Sequence, residues 1–110
     1  MDLPVNKANV APGTALPAQN TDILATAIQP SKDSGVLRIY VCISITGVFA
    51  VGRYYGGTER IELLNSGVAL VAGAGYMFSV PWRAGETINF QYSTTTGTIY
   101  KLQADETWNG

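Results

Sequence analysis

The stretch Glu59–Ser93, ERIELLNSGVALVAGAGYMFSVPWRAGETINFQYS, decides the fold class. Tyr76, Phe78 and Val80 alternate with Met77 and Ser79. After Arg83-Ala84-Gly85-Glu86 the alternation resumes, with Ile88, Phe90 and Tyr92 set against Asn89, Gln91 and Ser93. A period of two places one set on a buried face and the other on a polar, uncharged one, so these are strands separated by a turn. Glu59–Leu64 reads as another short strand, bounded by Gly56-Gly57 and by Asn65-Ser66-Gly67, and Val68–Val71 carries on beyond that turn.

The same period extends in both directions. Upstream, Ile23, Ala25 and Ala27 alternate with Leu24, Thr26 and Ile28 until the polar turn Gln29–Gly35. Leu37, Ile39, Val41, Ile43 and Ile45 then share one face, opposite Val36, Arg38, Tyr40, Cys42 and Ser44. Thr46-Gly47 breaks this run before Val48–Tyr54, which predicts a hairpin there. Downstream, Thr94-Thr95-Thr96-Gly97 leads into a last strand, Thr98–Ala104. About eight short strands with dense turn signals and no helical period predict an all-β, antiparallel β-sandwich. A jelly-roll-like arrangement fits best because eight strands fill two four-stranded sheets; an immunoglobulin-like sandwich comes second.

Residues 1–20 differ from the rest. Pro4, Pro12 and Pro17 force the residues before them into extended conformations and remove backbone donors, so neither a helix nor a central strand is expected there. The chain therefore divides into an extended N-terminal arm, 1–20, and a β-sandwich domain, 21–110. The arm is either a disordered tail or a strap that orders on a neighbouring subunit, with Leu3, Val5, Val10 and Leu16 as its apolar anchors.

At 110 residues the chain suits one core, with 46% apolar but only 14% charged residues, against about 25% charged in ordinary globular proteins. Much of the surface is thus uncharged, as in proteins that bury surface against a partner. The net charge of −1, spread in ones and twos, offers no footprint for direct nucleic-acid binding or for an anionic membrane. MDLPVNKANV lacks the basic start and apolar core of a secretory leader, and the weakly charged runs Ile39–Gly52 and Val68–Trp82 are too short and interrupted to span a bilayer. The single cysteine, Cys42, rules out an intrachain disulfide and reads as a buried, inert strand residue.

Chemistry is sparse. The chain has no histidine, which removes the commonest general base and transition-metal ligand. Glu59 and Glu62 are three apart on a strand and so face opposite sides, while Asp105 and Glu106 lie near the C-terminus. Gly73-x-Gly75 precedes a strand and has no phosphate-loop lysine, and Asp33 stands alone in its turn. No catalytic residue, metal ligand or cofactor is expected. Among the aromatic residues, Tyr54, Tyr55 and Trp82 lie beside turns and are candidates for partner or oligomer contacts, or for a sugar-binding platform.

One resemblance rests on the order of these elements. Asp22-Ile-Leu, Gly35-x-Leu-Arg-Ile-x-Val, Leu64-Asn65-x-Gly67-x-x-Leu70-x-Ala72-Gly73, Tyr76-x-Phe78-x-Val80 and Gly85-Glu86-x-Ile88-Asn89-Phe90-Gln91-Tyr92-Ser93 follow one another as in small β-sandwich virion proteins of tailed double-stranded DNA viruses. The chain resembles their capsid decoration, or cement, proteins over residues 22 to about 104. The resemblance implies a non-catalytic virion component of a bacteriophage, assembled in the host cytoplasm. It would sit as a homotrimer on the outer capsid surface and hold the major capsid protein at capsomer junctions, in some cases through an N-terminal arm. The alternative is a carbohydrate- or receptor-binding module of a viral fibre or similar assembly.

Overall fold

The alternation of side chains is realised as two antiparallel sheets lying face to face. In the computed structural model, which describes residues 5–29 and 34–107, the strands are β1 (Val5–Val10), β2 (Thr14–Ala15), β3 (Ser34–Ile43), β4 (Phe49–Tyr55), β5 (Thr58–Leu63), β6 (Gly75–Arg83), β7 (Thr87–Tyr92) and β8 (Thr98–Thr107). One sheet has the order β1-β8-β3-β6, with the short β2 also pairing to β8, and the other has the order β5-β4-β7.

Residues 20–28 complete the second sheet. Asn20 N–H donates to Tyr92 O at 2.9 Å, Ile23 N–H donates to Phe90 O at 2.8 Å, and Ile28 and Ile88 exchange both backbone bonds at 2.7 and 2.9 Å. This segment was expected to be a regular strand. Instead the Asn89 side chain replaces part of the ladder, accepting from Leu24 N–H and donating to Leu24 O, each at 2.9 Å. With this segment counted, the second sheet runs 20–28, β7, β4, β5, opposite β1-β8-β3-β6. With β1 and β2 taken together as the two stretches that pair with β8, successive strands change sheet at every step except β4–β5, which is the connectivity of a jelly roll.

Among the described residues the one hairpin is β4–β5. Gly56 and Gly57, at φ of 60° and 80°, form its two-residue turn, a conformation that strands with right-handed twist prefer and that side chains resist. The hairpin expected at Thr46-Gly47 is absent, because β3 and β4 lie in different sheets and residues 44–48 carry the chain between them. Val68–Val71 is likewise no strand. Only Leu70 bridges, donating its N–H to Gly47 O at 2.7 Å, after a 3-10 turn at Asn65–Gly67.

Between the sheets, Leu37, Ile39, Val41 and Ile43 of β3 meet Phe49, Val51, Ile88, Phe90 and Tyr92, all buried. Phe49 lies at the centre, its ring centroid 5.5 Å from Phe90 and 6.2 Å from Phe78. Each such side chain contributes about 1.5–3 kcal/mol by leaving water.

The N-terminal segment is part of this body. β1 pairs with β8 from Val5↔Glu106 to Val10↔Leu102, with a bulge between Asn6 and Ala8, and Leu16 is 6% exposed within the core. Val10 packs against that core and Val5 is exposed at the sheet edge, so Val5, Val10 and Leu16 engage their own chain rather than forming a free strap. The prolines permit this because Pro12 and Pro17 lie outside the paired residues of β1 and β2 and subtract no ladder donor. Leu3 lies outside the described residues.

Candidate interaction surface at the β5 edge

Edges of a sheet expose unpaired backbone groups, and most are blunted. Of the two outer strands of the first sheet, β6 carries Pro81, which offers no N–H, and β1 is bulged. β5, the outer strand of the second sheet, has no proline and no register shift, and all six of its residues are exposed. Its alternation is also inverted relative to a half-buried strand. Ile61 and Leu63, in register with Gly52 and Ala50, lie on the outer face at 47% and 55% exposure. Thr58, Arg60 and Glu62 therefore take the face turned toward the first sheet.

On that inner side, β5 and β6 border an open cleft of about 510 Å³ lined by Arg53, Arg60, Ile61, Glu62, Pro81, Trp82 and Glu86. Arg53 closes the sandwich here. Its guanidinium donates to Pro81 O at 2.6 Å and to Glu86 Oε1 at 3.2 Å, and it meets Glu62 Oε1 at 3.4 Å. Glu86 is buried, so this charge pair is largely shielded from water. Arg60 stands directly opposite Arg53 in the β4–β5 register, a like-charge juxtaposition, and makes no ion pair among the described residues.

The three turn-flanking aromatic residues are not brought together. Tyr54 lies on the outer face of the second sheet and donates to Asp22 Oδ2 at 3.1 Å. The neighbouring Glu59 carboxylate, followed by burial and Asp22, holds its phenol well above the ordinary tyrosine range. Tyr55 is exposed, and its ring lies against Gly85. Trp82 is 5% exposed, with its ring over Gly35. They form no shared aromatic platform; Trp82 alone reaches the cleft, as part of its floor.

The outer face of the first sheet is broad and weakly charged. Asn9, Gln103, Tyr40 and Met77 lie side by side across its four strands, and Asn6, Asp105, Arg38 and Ser79 form the adjacent row. Asn6 Nδ2 donates to Asp105 Oδ1 at 3.0 Å, and Met77 is 58% exposed. Cys42, expected to be buried, also lies on this face, partly exposed and in register with Lys101 and Gly75. Among the described residues no three or more acidic, histidine or cysteine side chains gather as metal ligands. No helix among the described residues is long and apolar enough to cross a membrane.

The missed feature is the apolar outer face of β5. In sequence Glu59–Leu64 reads only as a short strand with no face assigned, and it is the register of Ile61 and Leu63 with Gly52 and Ala50 that places them outward. The fold and this surface define a jelly-roll β-sandwich with an unblunted edge at β5. No family model, curated protein or solved structure matches the chain.

Proposed function

We propose that this protein is a non-catalytic virion component that decorates and stabilises an outer capsid surface, with the major capsid protein as its partner and other copies of itself as neighbours. The observation that carries this reading is the strand order, β1-β8-β3-β6 against 20–28, β7, β4 and β5. Jelly rolls of this connectivity recur as capsid building blocks, which is an argument by analogy of fold, and the sequence resemblance points the same way. The outer face of the first sheet supplies the docking area. Its neutral amides, Tyr40 and the exposed Met77 suit a wet protein interface, which draws on shape and hydrogen bonds more than on charge. Burial of Met77 against a partner contributes about 1.5–3 kcal/mol, so one charge at its place is a sensitive probe.

The test is co-sedimentation of the purified chain with undecorated heads of a tailed bacteriophage, comparing wild type with Met77→Glu and using circular dichroism as the folding control. Saturable occupancy that falls about tenfold or more in the variant is the expected result. No binding by wild type, or equal occupancy by a folded Met77→Glu, would remove the reading.

A further inference from the structure

We infer that β5 is the interface for a second copy of this chain, which adds its own β5 antiparallel about a two-fold axis at Ile61, so that the two edge sheets join into one. This pairing is independent of the virion reading and is measured on the purified protein alone.

The argument begins with backbone. β5 pairs with β4 without a register shift and is fully exposed and without proline, whereas β6, the neighbouring edge of the other sheet, carries Pro81. An unblunted edge accepts another strand through ordinary ladder bonds. Parity then limits the register. Directly opposed residues must lie on the same face, so a symmetric antiparallel pair can centre only on a residue, never between two.

Charge selects among the centres. Centred on Arg60, the pair opposes arginine to arginine; centred on Glu62, it opposes glutamate to glutamate. Centred on Ile61, it places each Arg60 opposite Glu62 of the second copy, Glu59 opposite Leu63, and Ile61 opposite itself. The sequence Thr58-Glu59-Arg60-Ile61-Glu62-Leu63 is therefore self-complementary in the register centred on Ile61, and no other centre on the strand gives a longer overlap. Charges on edge strands usually keep strands apart, but here an antiparallel copy meets opposite signs.

The surroundings fit that occupant. Arg60, crowded by Arg53 across the ladder, gains a carboxylate, and the incoming side chains cover the mouth of the cleft. On the other face, Ile61 and Leu63 of both copies form a short apolar row, partly removed from water. The arrangement uses one edge of each chain and closes on itself, so it ends at a dimer rather than the trimer that the resemblance implies.

Light scattering of the full chain at micromolar concentration should give twice 11.7 kDa. A mass of one or three chains would overturn the proposal. Arg60→Glu should weaken the dimer about tenfold or more, and Arg60→Glu combined with Glu62→Arg should restore it, because the opposed pairs are merely exchanged. These positions are exposed, and circular dichroism verifies folding. A dimer unaffected by Arg60→Glu, or not rescued by the folded double variant, counts against the register.

Cross-linking supplies a second arm. Opposed residues in an antiparallel ladder have Cα atoms about 4.5–5.5 Å apart, within the disulfide range. In a Cys42→Ala background, Ile61→Cys should oxidise to a covalent dimer and Glu62→Cys should not. The reverse pattern would exclude a two-fold axis at Ile61.

Discussion

A methyl group at Gly35 would lie 2.6 Å from the Trp82 ring and 2.7 Å from Thr107 O, distances that force either a buried indole or the backbone of β8 to move. Gly35→Ala should therefore destabilise the fold by about 1–3 kcal/mol. At Gly52, in the middle of β4, the same methyl meets Glu59, Gln91 and Ile61 side chains at 3.4–3.7 Å, which is ordinary contact. Gly52→Ala should be neutral or stabilising by up to about 1 kcal/mol, since it also restricts the unfolded chain. Urea denaturation of both variants checks the pair, and equal effects would contradict the local geometry. Tyr92 carries a pH dependence. Its hydroxyl donates to Ile45 O at 2.6 Å, and burial, with Tyr76 adding, pushes its phenol up from about 10 to about 12. The folded state thus holds this proton more tightly than the unfolded one. The contribution is complete below pH about 10 and is lost as pH rises toward about 12. Tyr92→Phe should cost about 1 kcal/mol at pH 7, from the lost hydrogen bond, and flatten the stability decline between pH 10 and 12.

Among the elements, β1 and the segment after it overturn the reading of a detachable arm. Leu16→Ala should cost about 2–5 kcal/mol because the side chain is buried among other apolar groups, whereas Val5→Ala, at the exposed edge, should stay within about 0.5 kcal/mol. A near-neutral Leu16→Ala in thermal and urea melts would return the segment to the status of a strap. The elements also show what was legible in sequence and what was not. The alternation of Leu37, Ile39, Val41 and Ile43, and that of Ile88, Phe90 and Tyr92, identified both strands and their buried faces, because a two-residue period needs only local information. Sheet membership needed more. Thr46-Gly47 and Arg83–Glu86 look locally like hairpin turns, yet both carry the chain across the sandwich, while Gly56-Gly57, with similar chemistry, closes a true hairpin. For the same reason the sequence left open which way Ile61 and Leu63 face. Nothing in β5 itself records that it ends a sheet, and the outward face follows only from its neighbours.

At the scale of the molecule, the two sheets are joined chiefly by apolar contact, and among the described residues Arg53 makes a charged clasp between them at the β5–β6 side. Arg53 projects from β4 of one sheet, donates to Pro81 O in β6 of the other, and pairs with Glu86 in the turn between β6 and β7. Its side chain is 14% exposed and that of Glu86 is 8% exposed, so the clasp sits where desolvation is substantial and removal of either group takes a shielded charge partner from the other. Arg53→Met should consequently cost about 1.5–3 kcal/mol, a sizeable share of the 5–15 kcal/mol that holds a domain of this size together. Glu86→Leu alone should be damaging for the same reason, leaving the arginine with Glu62 at the more exposed rim. Combined, the two substitutions replace a shielded ion pair with apolar side chains beside Trp82 and Pro81, and the double variant should be more stable than either single one predicts. The coupling, from urea denaturation of all four proteins, should be about 1–3 kcal/mol. Strict additivity would mean that Arg53 acts through its bond to Pro81 O alone, and that apolar burial, without the ion pair, holds this side of the sandwich closed.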